Sequence, residues 1–218
     1  MFFTAQNQMP GVIGWEVPMV LVVSLLASAW VLRKLVVRWT HQRRVLVMQE
    51  WARENDLKVI DALHLSMPEA LEELAPLSPT VRQLLAGEDL FVVGFTTPKQ
   101  NKKDTSQFTT WNAMICRIKF DWQMTALRPR ANASGLIDLF STTSYPSLAP
   151  PERFVIFGVD PFDARKLAES KLAGLLPGDI GLVLYKKWLI LDFSARPFDT
   201  IELSRCRQLM EQLVANLP

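Results

Sequence analysis

Histidine is the commonest acid–base and metal-ligating side chain. It occurs twice here, at His41 and His64, and neither has a Cys, Asp or Glu at ligand spacing. Two cysteines, Cys116 and Cys206, stand far apart and in no C-x-x-C pattern. Cys116 falls on the apolar side of an alternating stretch and Cys206 on an apolar helical stripe. Both therefore read as buried, inert thiols in a reducing compartment rather than as nucleophiles or ligands. The acidic pairs Glu72-Glu73 and Asp160/Asp163 are explained by helix surfaces and caps. No P-loop, G-x-G-x-x-G, G-x-S-x-G or H-E-x-x-H pattern is present. The residues thus point to no catalytic group, no bound metal and no cofactor.

Two basic features remain. Lys99, Lys102 and Lys103 lie in the polar stretch 98–107, and Arg128 and Arg130 follow an apolar run. A lysine cluster at a loop tip is ordinary solvated surface, or it is a contact to lipid headgroups or an acidic partner.

The element that positions everything else is apolar. Val17 to Leu32, VPMVLVVSLLASAWVL, carries no charge and is followed at once by Arg33 and Lys34. It is just under the roughly 17–25 residues a membrane-spanning helix needs, and Glu16, Arg33 and Lys34 extend it by snorkelling. Its Val and Leu residues favour insertion by about 3–5 kcal/mol in total. Trp15, Trp30 and Trp39 fall near the two edges, where indole rings prefer to sit. The run is apolar on all sides, which a buried helix of a soluble protein need not be. A cleaved signal peptide, with Ala27-Ser28-Ala29 as its processing site, would need a positive leading segment. Residues 1–16 contain no Lys or Arg, and the apolar run continues past that site. The expectation is a single transmembrane helix.

Charge sets the orientation. Residues 33–44 hold Arg33, Lys34, Arg38, Arg43 and Arg44, and the positive side stays in the cytoplasm. Taking those five from the chain's 24 basic side chains, and Glu16 from its 22 acidic ones, leaves 19 and 21. The rest of the chain is slightly acidic, which argues against nucleic acid as a partner. The juxtamembrane cations suit anionic lipid, at about 1 kcal/mol per cation near the surface. Arg33, Lys34, Arg38, Arg43, Arg44, Lys99, Lys102 and Lys103 are accordingly the candidate membrane-surface residues.

Four regions follow: a short extracytoplasmic tail at 1–16, the span at 17–32, a basic helical stalk at 33–55, and a cytoplasmic domain at 56–218. Leu32, Leu35, Val36, Trp39, Leu46, Val47 and Trp51 recur at helical spacing, so the spanning helix is expected to continue to about Asn55. Within the domain, Leu57 to Ile60 is a short strand. A helix capped by Ser66 should run to about Leu74, and Ser78-Pro79 should open another that ends near Gly87. Strands are expected at 90–95, 111–120 and 123–128, with a turn at Asp121-Trp122. Residues 129–151 are irregular, with a helical turn near 135–140. A strand at 153–159 precedes a helix capped by Asp160 that ends by Pro177-Gly178. Strands at 180–185 and 188–194 should meet in a turn at Lys186-Lys187. Asp199 caps a last helix whose apolar stripe is Cys206, Leu209, Met210, Leu213 and Leu217.

The fold class is α+β, an antiparallel sheet with packed helices. The function expected is that of a single-pass membrane protein, placed in a bacterial inner membrane. Its cytoplasmic domain would be non-catalytic and bind another protein or its own copy. A membrane-tethered enzyme with an unrecognised site, and an anionic-lipid surface module, are the alternatives.

Overall fold

The computed structural model describes residues 16–60, 66–98, 108–132, 134–140, 142–145, 148 and 153–217. Side chains are described in the first helix from residue 22 onward, except at 37, 38, 40–42 and 44. The expectations at Trp15, His64, Lys99, Lys102 and Lys103, and at the side chains of Arg38, His41 and Arg44, lie outside the described residues. The chain divides into two compact units, Met1–Leu46 and Val47–Pro218.

Helix α1, Glu16–Glu54, begins in the first unit. Pro18 falls in its first turn, where a missing N–H costs nothing. Downstream no Gly or Pro interrupts the helix, and its Leu and long charged side chains are good helix formers, although Val is its commonest residue. Among the described residues no helix is long and apolar enough to cross a membrane. The described side chains begin at residue 22, inside the expected span Val17–Leu32.

The second unit contains the last turns of α1 and a mixed α+β fold. Strand β1 is Lys58–Val59, and a 3-10 helix covers Glu69–Leu77. Then come β2, Thr80–Ala86, β3, Leu90–Pro98, and β4, Phe108–Pro129. A second 3-10 helix, Leu136–Leu139, precedes β5, Thr143–Ser144, and β6, Phe154–Gly158. Helices α2, Pro161–Glu169, and α3, Leu172–Leu175, lead to β7, Gly181–Asp192, and α4, Thr200–Ala215. All pairings are antiparallel, in the order β1-β2-β3-β4-β6-β5, with β7 also paired to β4.

Strand β4 organises the sheet. Its first half pairs with β3, its last residues with β6, and most of its length with β7. Apolar residues cover both faces. On one, Met114, Leu127, Leu189 and Leu191 pack with Trp51, with Leu167 of α2, and with Leu203, Cys206 and Leu213 of α4. On the other, Ala113, Ile115, Phe95 and Ile190 pack with Leu71 and Leu74 of the first 3-10 helix and with Leu136 and Ile137 of the second. The sheet is thus the middle layer between α-helices and short 3-10 segments.

Several expectations are corrected. Ser66 caps nothing; the helix there is 3-10, starts at Glu69 after Pro68, and receives no side-chain cap bond. The stretch after Ser78-Pro79 is strand β2 rather than a helix. Ser78 takes a left-handed φ of 49°, which ends the 3-10 helix and turns the chain into the ladder with β3. The two strands expected at 111–120 and 123–128 are one, β4, and those at 180–185 and 188–194 are one, β7. The supposed turns are bulges. β4 and β7 shift register between Arg117 and Thr125, and Lys186 sits opposite Trp122 with φ 51°. Each strand swaps faces there: Met114, Ile118 and Trp122 belong to one core, but Met124 and Ala126 to the other. The helix expected from Pro161 to about 176 breaks at Ser170, whose hydroxyl donates back to Leu167 O at 2.6 Å.

Candidate functional site

In the first unit the candidate site is the surface of α1. Val22, Val23, Leu25, Leu26, Val31, Leu32, Leu35 and Val36 are all exposed, Leu25 at 68%. They lie on every side of the helix, with no polar stripe among them. Transferring each from water would contribute about 1.5–3 kcal/mol. Ser28 Oγ is satisfied within the helix, donating to Ser24 O at 2.8 Å.

The aromatic and basic residues alternate along the same helix. Lys34 Nζ lies 3.8 Å from the Trp30 ring centroid, and Arg43 stacks over Trp39 at 5.7 Å. Each cation sits four residues after its indole, on the same helix face. Arg33 is exposed. The structure thus brings Trp30 with Lys34 and Trp39 with Arg43.

In the second unit the polar groups tie elements together. Asp160 caps α2, accepting from Asp163 N at 3.2 Å, while Asp163 accepts from Gln123 N at 2.8 Å. Glu73 accepts from the Tyr185 hydroxyl, and burial followed by that bond raises the phenol above its ordinary value. Arg128 holds Asp138 with two bonds at 2.7 and 2.8 Å, and Arg130 Nε donates to Phe154 O at 3.2 Å. Burial raises the Cys116 thiol and pushes Cys206 up to about 12. Neither is poised as a thiolate. Among the described residues no three His, Cys, Asp or Glu side chains group as a metal site.

Two clusters escape sequence reasoning. Asp192, 4% exposed, accepts from Leu136 N at 2.6 Å, Ser194 N at 3.0 Å and Ser194 Oγ at 2.5 Å. It pins the start of the 3-10 turn Leu136–Leu139 to the sheet, and burial raises its carboxyl above 3.8. Arg196 holds Asp179 with two bonds, at 2.7 and 2.6 Å, and Glu202 with a third at 3.0 Å. Those carboxylates lie 17 and 6 residues from Arg196, so local spacing carries no sign of the triad. For Asp192 the one available signal is a lone acid ending the apolar run Trp188 to Leu191.

A shallow groove of about 490 Å³ runs between the end of α1 and the start of α4, walled by Val47, Trp51, Ile201 and Ser204 among others. Trp51 Nε1 donates to Ser204 Oγ across its floor at 2.8 Å.

No family model matches this chain, and no curated protein matches it. Among solved structures it is similar to the mycobacterial trehalose monomycolate transport factor A, TtfA. The two are 10% identical with a TM-score of 0.48, over 79% of this chain and 94% of that one.

Proposed function

We propose that this chain is a single-pass membrane protein whose second unit is a non-catalytic interaction module facing the cytoplasm. The observation that carries this reading is the fully exposed aliphatic surface of α1, continuous with the uncharged run that starts at Val17. In water that surface would be costly; in lipid it needs no partner, and a helix satisfies its own backbone. The indole–cation pairs Trp30–Lys34 and Trp39–Arg43 supply groups suited to one interface. The excess of cations after residue 32 supports an inward-facing second unit. A role in binding rather than chemistry is supported by how the strongest acids and bases are used. Asp192, Asp179, Glu202, Arg196 and Arg128 hold each other or the backbone.

Alkaline carbonate extraction of membranes from cells making the full chain tests the anchor. The chain is expected in the pellet, and replacing Leu25, Leu26, Val31 and Leu32 by Ser is expected to release it. Recovery of the unaltered chain in the carbonate supernatant would overturn the reading.

A further inference from the structure

We draw no further inference here: the strongest candidate, the shallow groove between the last turns of α1 and the start of α4 with Val47 and Ile201 exposed on its walls, is an apolar face edged by both acids and a cation, and nothing in the structure shows what covers it.

Discussion

Trp122 and Lys186 face each other across β4 and β7, each at a break in the ladder. Lys186 takes a left-handed φ of 51°, and Trp122, 2% exposed, is the last residue of β4 to reach the helical side before the strand swaps faces. The left-handed region costs an ordinary residue about 1 kcal/mol, and a β-branched one more. Lys186 is exposed, and its side chain contacts one ring, the ammonium lying 4.8 Å from the Tyr185 ring centroid, which offsets part of the backbone cost. Lys186→Gly is therefore expected to stabilise the protein by up to about 1 kcal/mol, and Lys186→Val to destabilise it by about 1–2 kcal/mol. Urea denaturation midpoints check the order, which would be reversed if residue 186 lay in an ordinary β conformation.

The last turns of α1 belong to the core of the second unit. Trp51 is 6% exposed and Ala52 1%. Trp51→Ala is expected to cost about 3–5 kcal/mol, and Ser204→Ala, which removes the acceptor of the indole N–H, about 1 kcal/mol. A chain beginning at Val47 should unfold cooperatively, whereas one beginning at Leu57 should lose most of that stability. Thermal melts of the two compare them directly.

Asp179 and Asp192 titrate in opposite senses. The Arg196 bonds hold the Asp179 carboxyl below its usual 3.8. Its stabilising contribution is present above that value and is lost as pH falls through the lowered pKa. Burial holds Asp192 above 3.8, so the folded protein binds that proton more tightly than the unfolded chain. Stability from this group is present below 3.8 and declines as pH rises through the raised pKa. Asp179→Asn should flatten the acid-side loss, and Asp192→Asn the decline above 3.8. Denaturation midpoints across that range separate the two slopes.

Cys206 is fully buried, with its thiol pushed up to about 12. In the native protein near pH 8 it should resist a thiol reagent that labels both cysteines after unfolding. Mass spectrometry of the labelled protein checks this, and rapid native labelling at Cys206 would show the α4 packing to be open.

The long helix, the Asp160 and Asp199 caps and the apolar stripe of α4 are legible in sequence because each follows from local spacing. Asp160 receives Asp163 N, and Asp199 receives Ile201 N and Glu202 N. What sequence hid is decided at a distance. The pairs Asp121-Trp122 and Lys186-Lys187 look like turns because charge interrupts an apolar run in each. They are the same bulge seen from its two strands, and only their pairing reveals it. Residues 80–86 read as a helix after Ser78-Pro79, but β3 recruits them into the sheet. Asp192 reaches Leu136 across 56 residues, and Arg196 gathers Asp179 and Glu202 from 17 and 6 residues away on either side, so periodicity carries no trace of them.

The most direct test of the central claim is protease access in sealed spheroplasts, with a tag at each end of the full chain. An inward-facing second unit predicts that external protease leaves residues 47–218 intact until detergent opens the membrane, while the N-terminal tag is removed at once. Digestion of the second unit in intact spheroplasts, with the N-terminal tag preserved, would contradict it.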